Sequence, residues 1–250
     1  MHLLIAPYQY LLVAVATLLA APMILFHSLR GDRRAAFAPV RWWCKVMVYG
    51  SGVRFTVRGR EHIPADGRCV ILANHCSHVD GPALILVWPE PISFVIKQEL
   101  ARVPVWGPAT LRAGFIAIDR GNSRQAKDQL ARALDAIRDG RTVLVFPEGT
   151  RSPDGHLQRF KKGGFHLAVD AGVPILPVTI NRSREIFPKG SWAAVPGRIE
   201  FVIHPPIPTA DLSRDDLLDL VRQTREVIEA ARHEDPAYPT AQPEGDAVTA

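Results

Sequence analysis

The run Asn74-His75-Cys76-Ser77-His78-Val79-Asp80 packs two imidazoles, a thiol, a hydroxyl and a carboxylate into one short stretch directly after an apolar segment, Cys69–Ala73. An imidazole titrates close to neutrality and can take a proton from an alcohol when a carboxylate holds its other nitrogen. His75 and Asp80 are five positions apart, which on a regular helix turns about 500° and leaves them roughly 140° apart. They can meet only if His75 stays in a loop and Asp80 begins a helix, and in that arrangement Asp80 accepts the imidazole N–H and leaves His75 as a base. Metal ligation by His75, Cys76, His78 and Asp80 is the rival reading, but no second cluster completes a tetrahedral set. Cys76 as a nucleophile is weak, because adjacent side chains rarely converge on one point. A plain polar turn is the third possibility.

A second cluster, Phe146-Pro147-Glu148-Gly149-Thr150-Arg151-Ser152, also follows an apolar segment. Its Pro and Gly shape a turn, Arg151 offers a planar fork for a phosphate, and Glu148 can orient that fork or accept hydroxyl hydrogen bonds. Phe160-Lys161-Lys162-Gly163-Gly164 then precedes a short helix from Phe165 to Ala171, where free backbone N–H groups and two cations can meet an anion. Arg120, at the end of Gly114–Arg120, and Lys97, after Ile92–Ile96, are further cations at segment ends. Taken singly, each of these is an ordinary surface charge.

The elements that must hold these residues are short runs rich in Val and Ile, bounded by Gly and Pro. Strands are predicted at Val53–Val57, Cys69–Ala73, Ile92–Ile96, Phe115–Ile118, Thr142–Phe146, Ile175–Ile180 and Ile199–Ile203. Helices are predicted at Ser123–Arg138, with Ala126, Leu130, Ala133, Leu134 and Ile137 on one face, and at Asp211–Arg232. Strands alternating with helices imply a mixed, largely parallel α/β sheet covered on both faces, with the polar clusters at strand ends where such sheets bind ligands. The expected division is residues 1–51 as membrane-associated helices, 52–232 as the catalytic domain and 233–250 as a mobile tail without periodicity.

The front of the chain carries no Lys, Arg, Asp or Glu from Leu3 to Phe26. As a helix it would reach roughly 36 Å, enough for a hydrocarbon layer of about 30 Å. Arg30, Arg33 and Arg34 follow it and favour a cytoplasmic position for the rest of the chain. Pro7 and Pro22 interrupt the segment, and Ala35–Tyr49 reads as an interfacial helix with Trp42, Trp43 and Tyr49 as anchors. A hairpin dipped into one leaflet and a true span are both open at this point, as is a buried core helix. The 250 residues carry a net charge of +5, which favours an anionic partner such as phospholipid or nucleic acid, but no zinc-finger or RNP-like motif supports the latter. Three cysteines without a C-x-x-C pair indicate a reducing compartment and no disulfide framework.

In this order, N-H-x-S-x-x-D at Asn74–Asp80, the Gly114–Arg120 block, F-P-E-G-T-R-S at Phe146–Ser152 and V-P-I-L-P-V-T-I at Val173–Ile180 resemble the glycerolipid acyltransferases typified by lysophosphatidic acid acyltransferases. The resemblance runs from about Val53 to Ile207. It implies transfer of a fatty acyl group from a thioester, acyl-CoA or acyl carrier protein, to a glycerophosphate hydroxyl, without a covalent acyl-enzyme, a metal or a further cofactor. It also implies an α/β domain held at a phospholipid membrane by N-terminal helices. Carried over, His75 is the general base and Asp80 its orienter. Glu148, Gly149, Thr150 and Arg151 form the acceptor block, with Arg151 as phosphate ligand, assisted by Arg120 and by Lys97. The acceptor would be lysophosphatidic acid, glycerol 3-phosphate or another lysolipid. Apolar residues around Leu84–Trp88 and Val103–Leu111 either line an acyl groove or pack the core.

Overall fold

A computed structural model of the chain describes residues 2–118 and 123–232. Arg120 and the 233–250 tail lie outside the described residues. The chain begins with a helical hairpin, α1 (His2–Leu29) and α2 (Arg33–Gly50), in which the Asp32 carboxylate caps α2 by accepting from the Ala35 N–H at 2.9 Å. Pro7 and Pro22 do not break α1, contrary to the reading of an interrupted segment. Both rings lie on its uncovered face, so the missing N–H bonds do not disturb the packed face.

The body follows as β1 (Val53–Arg58), β2 (Val70–Ala73), α3 (Asp80–Val87), β3 (Ile92–Lys97), α4 (Gln98–Ala101), α5 (Trp106–Arg112), β4 (Ile116–Ile118), α6 (Ser123–Arg138), β5 (Thr142–Val145), α7 (Gly163–Ala171), β6 (Ile175–Asn181), α8 (Ser183–Ile186), β7 (Gly197–Ile203) and α9 (Leu217–Ala230). The seven strands form one sheet in the order β1-β7-β6-β2-β5-β3-β4. Only the β6–β7 pair is antiparallel, so β1 and β7 run against the other five. Each predicted strand is present within one or two residues of its expected ends. The last helix is shorter than expected, beginning at Leu217 rather than Asp211. The Asp216 carboxylate accepts from both the N–H and the hydroxyl of Ser213 at 2.8 Å, a local turn that competes with helix over 211–216.

Two apolar clusters cover the two faces of the sheet. One joins Phe37, Val48, Leu84, Trp88 and Phe201; the other joins Ala133, Ile137, Phe165, Leu167 and Ile228. The hairpin belongs to the first cluster through Ala20, Ala21, Ile24, Phe37, Val40 and Cys44. Fully burying side chains the size of Ile24, Phe37 or Val40 stabilises by roughly 1.5–3 kcal/mol each, so the hairpin is fastened along its length. The C-terminal ends of β2, β5, β3 and β4 share one edge of the sheet, and the β1 and β7 N-termini emerge at that same edge.

Candidate active site

β2 delivers His75 into a loop and Asp80 opens α3, the arrangement that the five-residue spacing demands. The Asn74 side chain fixes the start of that loop by pairing with β6 as a strand residue would. Its amide donates to the Ile180 carbonyl at 2.9 Å and its oxygen accepts from the Ile180 N–H at 2.7 Å. His75 Nδ1 donates to Asp80 Oδ2 at 2.8 Å, and the same oxygen accepts the Cys76 and Ser77 backbone N–H groups, each at 2.8 Å. Asp80 is fully buried, so three donors converge on one desolvated carboxylate oxygen. The Nδ1–H tautomer follows, and the Nε2 lone pair is left facing the remaining 19% of side-chain exposure. The imidazole lies flat on the Phe146 ring, 3.9 Å between centroids and 6° between planes, which fixes its orientation from below.

Phe146 and Glu148 come from the end of β5, next to β2 in the sheet. Glu148 is only 3% exposed. Its Oε1 accepts the His75 backbone N–H at 2.7 Å and its Oε2 accepts the Gln158 N–H at 3.0 Å, so it clasps the loop that carries His75 rather than opening toward solvent. Burial pushes its carboxyl up to about 7, against the opposing effect of those two donors. The Ser152 N–H donates to the His75 carbonyl at 2.8 Å, a second tie between the two motifs. Gly149 sits at φ +75°, and a Cβ there would lie 3.0 Å from the Lys161 Nζ, so the glycine admits that lysine stem beside the turn. Thr150 is exposed. Arg151 is half-buried, and its buried Nη1 has no hydrogen-bond partner among the described residues. Burial holds its guanidinium below the usual arginine range, against the pull of Asp80.

The other expected residues are placed less centrally. Lys97 stands at the end of β3, exposed, with its ammonium 2.8 Å from Glu99 Oε1, and none of its described contacts reaches the dyad. His78 packs on Phe187 with ring centroids 4.6 Å apart. Desolvation, followed by the Arg151 and His75 charges, lowers it to about 4, which makes it a far poorer proton acceptor than an ordinary imidazole. Cys76 is buried and its thiol is pushed up to about 12, again chiefly by burial, so it is no nucleophile. Asn181-Arg182-Ser183 has the pattern of a glycosylation sequon, but the Asn181 side chain is buried and donates to Glu200 and to the Ala231 carbonyl.

The structure decides one expectation left open by the sequence, groove or core, and adds one feature that escaped it. A cavity of about 170 Å³ opens between the hairpin and the sheet, lined by Ala20 and Ala21 of α1, Trp43 and Met47 of α2, and Phe94 and Trp106, with His78 and Pro82 from the His75 loop and α3. Within Leu84–Trp88, Leu84 and Trp88 are core while Ile85 reaches the cavity; from 103–111, Trp106, Ala109 and Thr110 line it. The added feature is Arg225 of α9, whose Nη1 and Nη2 donate to the Gln158 and Leu157 carbonyls at 2.8 and 3.1 Å. Arg225 thereby anchors the segment whose Gln158 N–H reaches Glu148. Only the amphipathic pattern of α9 was visible in advance, and it does not distinguish Arg225 from the other charges.

A family model described as Acyltransferase matches residues 54–181. A 1-acyl-sn-glycerol-3-phosphate acyltransferase of Pseudomonas aeruginosa is 42% identical over 171 residues, 66% of this chain and 65% of its own length. The human 1-acyl-sn-glycerol-3-phosphate acyltransferase alpha is 36% identical over 180 residues, 71% of this chain and 63% of its own. The chain thus spans just under two thirds of these two relatives. The crystal structure of the 1-acyl-sn-glycerophosphate acyltransferase PlsC from Thermotoga maritima superposes with a TM-score of 0.79 at 28% identity, covering 94% of this chain and 98% of that one. With the matched region holding His75, Asp80, Glu148 and Arg151 in the geometry just described, this chain belongs to the acyltransferase family.

Proposed function

We propose that this protein transfers a fatty acyl group from a thioester, acyl-CoA or acyl carrier protein, to the free hydroxyl of 1-acyl-sn-glycerol 3-phosphate, giving phosphatidic acid. The observation that carries the reading is the His75–Asp80 pair at 2.8 Å with Nε2 unengaged. In the reaction, Nε2 takes the hydroxyl proton while the oxygen attacks the thioester carbonyl; the C–S bond then breaks and the imidazolium returns the proton to the departing thiolate. Asp80 stabilises the imidazolium formed on the way. No acyl-enzyme is needed, and the neighbouring candidates are occupied: the Ser77 hydroxyl donates to the Phe187 carbonyl at 2.9 Å and Cys76 is buried. Arg151, with an Nη1 that has no partner among the described residues, is assigned the acceptor phosphate, with Lys97 as an outer cation, Thr150 exposed at the same turn and Arg120 assisting as the family resemblance implies. The apolar cavity reaching from His78 toward the hairpin suits an acyl chain.

The hairpin supports a one-leaflet membrane attachment. Among the described residues α1 alone is long and apolar enough to span, yet it is tied to the catalytic domain at both ends. Gln9 bonds both backbone groups of Ala194 at 2.9 Å, and the Ser28 hydroxyl donates to the Arg112 carbonyl at 3.2 Å. Those two points are separated by about 28 Å of helix. A helix crossing the bilayer would carry one of them away from the domain, whereas a helix lying in the interface keeps both. Its outer face, with Leu11, Val15, Leu18, Leu19 and Met23 exposed, is then the face given to lipid. We place the catalytic domain on the cytoplasmic side, following Arg30, Arg33 and Arg34.

The test is to incubate vesicle-reconstituted protein with lysophosphatidic acid and radiolabelled acyl-CoA or acyl carrier protein, alongside His75→Ala, and to resolve the lipids. Labelled phosphatidic acid from the wild type and not from the variant is expected. Free fatty acid as the sole product would make the protein a hydrolase instead, and equal product from both proteins would remove His75 from the mechanism.

A further inference from the structure

Trp192 is 79% exposed, more than any other large apolar side chain among the described residues. It is held on a folded loop rather than a loose one. The Val195 N–H donates to the Ile186 carbonyl at 2.9 Å and closes the base. The Ser191 N–H donates to the Pro188 carbonyl at 3.2 Å and its hydroxyl donates to the Ala193 carbonyl at 2.9 Å, which shapes the tip. Gln9 of α1 takes both backbone groups of Ala194, two residues from the tryptophan. Gly52, at the junction of α2 and β1, approaches Pro196 so closely that a Cβ would lie 2.9 Å from the proline ring. The tip therefore stands beside the end of the hairpin where α1 begins and α2 finishes, next to Tyr8, Tyr10 and Leu11, all more than half exposed.

The loop itself carries charge of one sign, and the acids that flank it, Glu185 and Glu200, are paired with Arg182 and Arg58. From Ile186 to Ile199 there are Lys189 and Arg198 and no acidic residue, and Lys45 and Arg54 stand at the adjoining end of the hairpin. Exposed aromatic rings among cations are what an anionic lipid interface accepts. The root of the loop is the active site itself: the Phe187 carbonyl accepts the Ser77 hydroxyl at 2.9 Å and the His78 N–H at 3.2 Å.

We propose that residues 187–196 form a second membrane contact, made by the catalytic domain, in which Trp192 seats in the headgroup layer of a phospholipid bilayer and Lys189 meets anionic lipid. The proposal rests on the reading of the hairpin as an interfacial anchor, whose lipid-facing surface the loop continues. It brings the sheet edge that carries His75 down onto the membrane, so that a lysolipid headgroup leaves the bilayer only by a short lift.

The experiment uses the full chain in vesicles of phosphatidylcholine and phosphatidylglycerol, with and without bromine on the upper acyl carbons. The Trp192 emission is obtained as the wild type minus Trp192→Phe, and the emission of the hairpin's exposed Trp42 as the wild type minus Trp42→Phe. Bromolipid is expected to remove at least half of both components, with aqueous iodide removing little of either. If bromolipid quenches the Trp42 component while iodide quenches the Trp192 component, the loop faces water and the proposal fails with the hairpin reading intact. If bromolipid quenches neither, the hairpin reading fails and takes the proposal with it. In activity, Trp192→Ala should raise the vesicle lipid concentration for half-maximal rate several-fold at unchanged kcat; an unchanged lipid dependence would also overturn the proposal.

Discussion

Replacing Asp80 by Asn separates the charge of the dyad from its geometry. Asp80 Oδ2 alone accepts the His75 Nδ1–H and two backbone N–H groups, while Oδ1 is buried without a hydrogen-bond partner. An asparagine can therefore place its carbonyl oxygen where Oδ2 stood and its NH2 where Oδ1 stood, keeping all three donors satisfied and the imidazole tautomer unchanged. What is lost is the negative charge opposite the imidazolium. At about 4 Å between charge centres and an effective dielectric of about 20, that attraction is worth about 4 kcal/mol. The neutral hydrogen bond that survives returns about 1 kcal/mol. A net loss of about 3 kcal/mol lowers kcat by between ~10² and 10³-fold. KM for the lysolipid should stay within about threefold, because Asp80 does not reach the acceptor site. Thermal stability should fall by about 1–3 kcal/mol at most, because the new NH2 is buried where Oδ1 had no partner, a cost offset in part by removal of a buried charge. The assay is transfer of radiolabelled acyl groups in mixed micelles at saturating thioester. A kcat within tenfold of wild type, in a variant that is fully folded at the assay temperature, would refute the assignment of Asp80 as the partner of a charged imidazole.

Glu148 gives a pH prediction: its carboxyl is raised from 4.5 to about 7, so between those values the folded state binds more protons than the unfolded one and its contribution to stability falls as pH rises. Glu148→Gln should flatten that limb of the stability profile, by on the order of 3 kcal/mol across the window, and should lower kcat because an NH2 then opposes one of the two backbone N–H donors; an unchanged profile by urea unfolding at several pH values would contradict it. Arg225→Ala should raise KM for the acceptor about tenfold through the loosened 157–158 segment, and Arg225→Lys should restore only part of it because one ammonium cannot span two carbonyls as a fork does; equal effects on KM and kcat, or full rescue by Lys, would count against positioning. Gly149→Ala should cost about 1–2 kcal/mol of backbone strain at φ +75° and displace Lys161, seen as a lower unfolding midpoint and a raised acceptor KM. Cys76, with its thiol near 12, should leave the native enzyme indifferent to iodoacetamide, and rapid inactivation by the reagent would show a thiolate that the structure does not contain.

How much of this was legible in the residues differs from element to element. The strands could be read because each is a short Val- and Ile-rich run closed by Gly or Pro, and His75 with Asp80 could be placed because only one local geometry lets residues five apart meet. Glu148 was readable as a site residue but not in its orientation: a glutamate beside an arginine in a turn looks ready for substrate, and only the tertiary approach of β5 to β2 turns it inward onto the His75 N–H. Phe146 beneath the imidazole and Arg225 on the far helix are invisible for the same reason, since their partners are distant in sequence and nothing local marks them. The α9 boundary was misplaced because the Ser213–Asp216 turn satisfies locally the donors that a helix would otherwise have used.

The sheet order accounts for why the candidate site and the apolar hairpin share one end of the sheet. Because β7 is antiparallel to β6, and β1 pairs parallel with β7, both of these strands begin where β2 and β5 end. The chain must therefore enter β1 from the catalytic edge, which brings α2 and its partner helix there, and it must enter β7 from that edge too, which places the 187–196 loop alongside. A sheet with every strand parallel would have delivered the hairpin and that loop to the opposite edge, away from His75. The reversed pair is thus the feature that puts the hairpin, the 187–196 loop and the His75–Asp80 pair at one end of the sheet, as the proposed reaction on a membrane lipid requires, and it makes the apolar cavity between hairpin and sheet a consequence of the same connection.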